Sequence, residues 1–145
     1  MSHGAMYGRT EQEWQELEQA GWAFLKEKAA ERRANATHDP TVSYSDANEE
    51  LAARTGQPPF DFGQQADRTA MGYLLGRISP NRSWPVSRLL ISALVRYQDE
   101  ADAGPGFFNL AREIGLIHGS LSNLERLECW LRHVRQVQAH DWSQE

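Results

Sequence analysis

The stretch DRTAMGYLLGRISPNRSWPVSRLLISALVRYQD, from Asp67 to Asp99, holds the segments that decide the fold. Apolar residues at helical spacing in its first part predict a helix from about Gln64 to Arg77. Pro80 and Pro85 then indicate a loop, because proline interrupts regular hydrogen bonding. The run from Ser87 to Tyr97 suits either a buried strand or a helix by its length and apolarity. Its β-branched residues and the proline before it favour the strand.

The flanking sequence adds further helices and a second strand. TVSY, from Thr41 to Tyr44, indicates a short β segment, and a helix capped by Ser43 or Ser45 follows it as far as Gly56. Three more helices are predicted, over residues 10–34, from Pro105 to Gly115 and over residues 121–139. The predicted class is mainly α with a small β-sheet (α+β). In it a winged-helix-like core of about residues 41–115 is flanked by long amphipathic helices at both ends.

Length and composition restrict the architecture and the location. A chain of 145 residues is of ordinary single-domain size, and we assign residues 10–145 to one domain. Residues 1–9 are expected to be a disordered tail or a cloning scar, without the features of a secretory signal. No apolar run approaches the roughly 20 residues that cross a bilayer, so no membrane association is expected. The lone Cys129 fits a reducing compartment and predicts a cytoplasmic protein.

Charge is distributed unevenly along this acidic chain. The formal net charge is -5, yet the interior of the stretch from Asp67 to Asp99 contains no acid. It holds five arginines: Arg68, Arg77, Arg82, Arg88 and Arg96. A basic face is the electrostatic footprint of nucleic-acid binding. The alternative is that these arginines pair with acids of the first helix, and Arg96 in particular is expected to pair within the structure.

Three motifs in this region, TVSYSDANEELAARTG, DRTAMGYLLGRISP and PVSRLL, resemble one known family, the alkylguanine-DNA alkyltransferases and alkyltransferase-like proteins. TVSYSDANEELAARTG is similar to the strand and helix that open the DNA-binding domain of that family. DRTAMGYLLGRISP resembles its recognition helix. PVSRLL occupies the position of the family's Pro-Cys-His-Arg-Val-Val motif. The resemblance covers about Thr41 to Tyr97 and implies a winged-helix DNA-binding domain.

The resemblance also implies roles for particular residues. Tyr44 matches the tyrosine that helps to turn a nucleotide out of the duplex, and Arg68 matches the arginine that takes the vacated space. The alkyl-accepting cysteine is replaced by Val86, and its histidine neighbour by Ser87. Alkyl transfer needs an activated thiolate, so that chemistry is excluded. We find no other catalytic constellation and expect a non-enzymatic protein without a cofactor.

The candidate nucleic-acid site combines these positions with nearby arginines and an aromatic residue. A recognition helix places arginines where they reach phosphates or guanine edges. Trp84 suits either a stacking platform for a base or a lid over the core, and Tyr44 also suits packing at the end of a strand. The candidate residues are Tyr44, Arg68, Arg77, Arg82, Trp84 and Arg88.

A metal site near the C-terminus is a weaker interpretation. Cys129 and His133 lie one helical turn apart, with His118 and His140 on either side. The spacing lacks the close ligand pairs of structural zinc sites, so no metal is predicted.

Two main hypotheses about function follow. The first is a non-enzymatic protein of winged-helix type that binds double-stranded DNA and reads a modified or distorted duplex. The alternative is a protein-interaction or adaptor module, or a homodimer. It would use the acidic first helix and the helix that contains Leu124 to Val134. A nucleic-acid mimic that uses the acidic face is a third option.

Overall fold

The structure is a computed structural model that describes residues 7–34, 41–79, 82, 89–96, 105–115 and 117–142. Its helices are α1 (Glu11–Ala34), α2 (Tyr44–Thr55), α3 (Gln65–Ile78), α4 (Pro105–Glu113) and α5 (Asn123–Ala139). The strands are β1 (Val42–Ser43) and β2 (Val95–Arg96), with a short 3-10 helix, Ile91–Leu94, directly before β2. The expected class, mainly α with a small sheet, is confirmed.

Local sequence signals explain where α1 and α2 begin. The Thr10 amide donates to Glu13 Oε1 at 2.9 Å, and the Glu13 amide donates to Thr10 Oγ1 at 3.2 Å, which makes a reciprocal capping box. Ser43 Oγ accepts from the Asp46 amide at 3.1 Å and so caps α2. Of the two serines that the sequence left open, the structure therefore uses Ser43.

Helix ends also follow from single residues. Gly56 ends α2 with φ 73°, in the left-handed region that suits glycine. Ser122 and Glu125 form a second capping box at the start of α5.

The two strands form a small parallel sheet. Val42 lies opposite Val95, and Ser43 lies opposite Arg96. The order β1, α2, α3, β2 is the order that the sequence predicts. No hairpin occurs in the part of the chain that the structure describes. Tyr44, predicted as the last residue of the first strand, is instead the first residue of α2.

The prediction of a strand over the whole of Ser87 to Tyr97 is wrong, because within the described residues 89–96 only Val95–Arg96 is a strand and Ile91–Leu94 is a 3-10 helix. A side chain of α5 and the side chain of the residue that follows α3 accept hydrogen bonds from backbone amides that a longer strand would use. The Leu90 amide donates to His133 Nε2 at 2.7 Å, and the Ser92 amide donates to Ser79 Oγ at 3.1 Å.

The core is one hydrophobic cluster around α1. Helix α1 packs on α2, α3 and α5, and Trp14 of α1 is fully buried. Gly21 allows the close approach, because a Cβ there would lie 2.6 Å from Ile78 Cδ1. None of the described helices is long and apolar enough to cross a membrane.

The expected N-terminal tail includes residues that the structure places against this core. The Arg9 guanidinium lies 4.3 Å from the Phe60 ring centroid and donates through Nη2 to the Pro58 carbonyl at 2.6 Å. Tyr7 makes an edge contact with Trp14 at 6.3 Å between ring centroids. Packing therefore extends N-terminal to α1.

Candidate functional site

Two of the predicted DNA-binding arginines converge on one buried carboxylate. Glu18 is only 5% exposed. Its Oε1 accepts from Arg77 Nε at 3.0 Å, and its Oε2 accepts from Arg82 Nε at 2.8 Å. Glu18 therefore connects α1 to α3 and to Arg82, four residues beyond the end of α3.

A second acid completes the arrangement around Arg77. Nη1 and Nη2 of Arg77 donate to the two carboxylate oxygens of Glu11 at 3.0 and 2.7 Å, and Nη1 also lies 3.3 Å from Tyr73 Oη. The hydrogen bond from Arg77 lowers the pKa of the exposed Glu11, and the bond to Glu11 raises the pKa of Arg77. Both groups therefore stay charged and paired at neutral pH.

This arrangement has an energetic consequence for nucleic-acid binding. Removing one partner of a buried ion pair costs about 3–5 kcal/mol, because the remaining charge is left uncompensated in a medium of low polarity. Moving Arg77 and Arg82 to phosphates would take both of these cations away from the buried Glu18. The geometry matches the interpretation in which these arginines pair with acids of the first helix.

The other predicted site residues lie elsewhere. Arg68, nine residues before Arg77 on α3, donates from Nη1 to the Phe62 carbonyl at 2.7 Å and so joins the preceding loop to the helix. Tyr44 is 3% exposed, and its ring packs on Phe62 with centroids 5.7 Å apart. Trp84 and Arg88 lie outside the described residues. The described candidates therefore share no exposed basic face.

Arg96 behaves as the sequence predicts. Its Nε donates to Thr41 Oγ1 at 2.7 Å, between the residues that precede β1 and those of β2. The arginine is half-buried and stabilises the sheet from within the structure.

His133 and Cys129, considered above as metal ligands, are both at least partly buried in the fold. His133 is buried, and its Nε2 accepts from the Leu90 amide. Burial lowers the pKa of His133 to about 4, so the imidazole is neutral at physiological pH. Cys129 is a half-buried free thiol. Within the described ranges, no group of three or more histidine, cysteine or acidic residues could hold a metal ion.

Helix α5 presents an apolar stripe to solvent. Leu124 is 64% exposed and Leu131 is 36% exposed. The two leucines are seven positions apart, which is nearly two helical turns, so both lie on one face, with the half-buried Leu127 at its edge. The buried Trp130 and Val134 lie on the adjoining face. We call Leu124, Leu127 and Leu131 the α5 stripe.

Charged residues follow the α5 stripe along one flank. Glu125 and Glu128 lie in the N-terminal half of α5, and Arg132 and Arg135 lie in its C-terminal half. All four are exposed. In the part of the chain that the structure describes, Arg132 and Arg135 form no ion pair. This includes Glu128, which lies one turn before Arg132 and does not pair with it. The Glu125 carboxylate accepts from the Ser122 amide in the capping box, whereas Glu128, Arg132 and Arg135 are available to a partner.

Sequence reasoning found the α5 stripe only in part. The three- and four-residue spacing of leucines predicted the helix and an interaction surface on it. It did not show which leucines face outward, because that depends on the elements that α5 packs against.

Comparisons with protein-family models, curated proteins and solved structures each find no match to this chain.

Proposed function

We propose that the protein is a non-enzymatic interaction module that binds a helical protein surface through the α5 stripe. The observation that carries this proposal is the exposure of Leu124, at 64%, beside Leu131 on the same helical face. Exposed apolar groups that are contiguous and rimmed by polar residues mark interaction sites. Leucines at positions i, i+3 and i+7 are the anchor pattern of helix-in-groove recognition.

The size of the α5 stripe limits the strength of binding. Full burial of a leucine contributes about 1.5–3 kcal/mol, and Leu127 and Leu131 are already partly covered. Association costs about 4–15 kcal/mol in lost freedom of motion. Three leucines therefore support a weak, reversible complex, and the flanking charges set its orientation and its rate of formation.

A titration with a defined peptide tests the proposal. The probe is a synthetic amphipathic helix with leucines at i, i+3 and i+7, an acidic N-terminal half and a basic C-terminal half. Amide resonances of the isotopically labelled chain should shift in α5 and stay constant in α2. The matched control is the double variant Leu124→Gln with Leu131→Gln, which should bind at least about tenfold more weakly because its exposed leucines are replaced by polar side chains. Shifts that are absent, or that persist equally in the control, contradict the proposal.

Binding of double-stranded DNA through α3 stays a prediction. Its support is the resemblance to the alkyltransferase-like proteins, in which Tyr44 and Arg68 match the functional positions. The pairing of Arg77 and Arg82 with Glu18 favours the interaction module instead. A cytoplasmic location belongs to the proposal, on the ground that Cys129 has no second cysteine to pair with.

A further inference from the structure

We infer that the partner of the α5 stripe is a second copy of this chain, bound antiparallel about a two-fold axis near residue 130. This inference rests on the proposed function, because it names the occupant of the same surface. Its evidence is the order of the charges that flank the α5 stripe.

The four flanking charges are self-complementary about one point of the helix. Glu128 and Arg132 lie two residues on either side of residue 130, and Glu125 and Arg135 lie five residues on either side. Each residue adds about 1.5 Å along a helix, so in an antiparallel pair with its axis at residue 130 each acid lies level with an arginine of the other copy. Two independent pairs thus indicate the same register.

The four charges also share the flank that such a pair brings together. At about 100° per residue they fall within an arc of roughly 80°, next to the α5 stripe and away from the buried face. A two-fold axis perpendicular to two helices places the same flank of each helix against its own copy. Glu128 of one copy therefore faces Arg132 of the other, and the reverse pair forms by symmetry.

The α5 stripe fits the same arrangement. Leu131 lies one residue from the axis, so the Leu131 side chains of the two copies meet near the centre. Leu127 and Leu124 continue the contact outward on each side. In a parallel two-fold pair, the flank that carries these charges would lie on opposite sides of the two helices, so Glu128 and Arg132 would find no partner on the other copy. The charge order therefore selects the antiparallel pair.

Charge reversal in separate chains tests the inference. The variants are Glu128→Arg and Arg132→Glu, both at exposed positions where the fold should be retained, as circular dichroism can verify. Sedimentation equilibrium should show wild-type chains approaching twice the 16.5 kDa of the monomer as their concentration rises. Each variant alone should dimerise at least about tenfold more weakly, because it brings like charges together.

The mixture of the two variants is the decisive arm. One chain then carries arginine at positions 128 and 132 and the other carries glutamate at both, so the mixed pair has only opposite charges in contact and should dimerise like the wild type. The double variant E128R/R132E should also dimerise, because antiparallel pairing restores its contacts.

Three results would each overturn the inference: wild-type chains that stay monomeric, a mixture that dimerises no more strongly than the single variants, or a double variant that stays monomeric. The peptide titration is independent of these results, so binding of the peptide by a monomeric chain would retain the proposed function and reject only the second copy.

Discussion

Arg77 and Glu18 form an ion pair across the contact between α3 and α1, with Arg77 Nε 3.0 Å from Glu18 Oε1 and both side chains largely buried. The pair joins residues that are 59 positions apart in the chain. The pair therefore engages Arg77, one of the five arginines between Asp67 and Asp99, within the fold. A carboxylate that is buried away from water needs a cation beside it.

Replacing Arg77 by alanine should destabilise the fold. The buried Glu18 would lose one of the arginines that bind its carboxylate but would keep Arg82, so we expect the free energy of unfolding to fall by about 1–3 kcal/mol. Urea denaturation measures it. Arg112→Ala, at an exposed position of α4 away from the α5 stripe and its charged flank, is the matched control and should change stability by less than about 1 kcal/mol. Equal effects of the two substitutions would contradict the assignment.

Duplex DNA should bind weakly through α3. With Arg77 and Arg82 paired to acids, we expect no dissociation constant below about 1 µM at physiological salt, for plain or alkylated duplex, which is the tight limit of non-specific binding. Fluorescence anisotropy of a labelled duplex measures it. Tight binding that weakens steeply with salt, with a slope reduced by about one in Arg77→Ala or Arg82→Ala, would instead support the alkyltransferase-like hypothesis.

His133 should make stability depend on pH. Its pKa is lowered to about 4 in the folded chain, whereas an unfolded histidine has a pKa of 6.5. The unfolded state therefore binds more protons, so this contribution is complete above pH 6.5 and decreases as the pH falls towards 4. The loss approaches about 3 kcal/mol.

The variant His133→Gln isolates that contribution. Glutamine retains an acceptor for the Leu90 amide and does not titrate. Urea unfolding at several pH values should show a shallower decrease for the variant between pH 6.5 and 4 than for the wild type. Parallel curves would show that the burial of His133 does not control this dependence.

Two glycines should respond to alanine in opposite directions. Gly56 has φ 73° at the end of α2, and an L-residue in the left-handed region costs about 1–2 kcal/mol. Gly76 lies inside α3, and among the described residues no atom outside its own helix lies within 4 Å of the position that a Cβ would take. Alanine there should therefore stabilise the helix by up to about 1 kcal/mol. Thermal unfolding of Gly56→Ala and Gly76→Ala measures both. A change of melting temperature with the same sign in both variants would contradict the placement of Gly56 at the end of α2 and of Gly76 inside α3.

Local features of the fold could be predicted from the sequence, and tertiary ones could not. The cap of α1 by Thr10 and Glu13 involves residues three apart, so the sequence contains the whole interaction. The 3-10 helix before β2 depends on hydrogen bonds that its backbone amides donate to His133 and Ser79, which lie outside the segment. Nothing in the local pattern distinguishes it from a strand.

The same distinction applies to the candidate site. The arginines were visible in the sequence, but their partner Glu18 lies on a different helix. Leucine spacing predicted α5, whereas the outward position of Leu124 follows from the packing of Trp130 and Val134 on the adjoining face.

The concentration dependence of the amide spectrum tests the central claim, that the α5 stripe is a docking surface, most directly. From dilute solution up to about 500 µM, the range in which weak complexes form, wild-type chains should show shifts confined to residues 123–139. The variant with glutamine at positions 124 and 131 should show none. A wild-type spectrum that changes neither with concentration nor with the helical peptide would contradict the account.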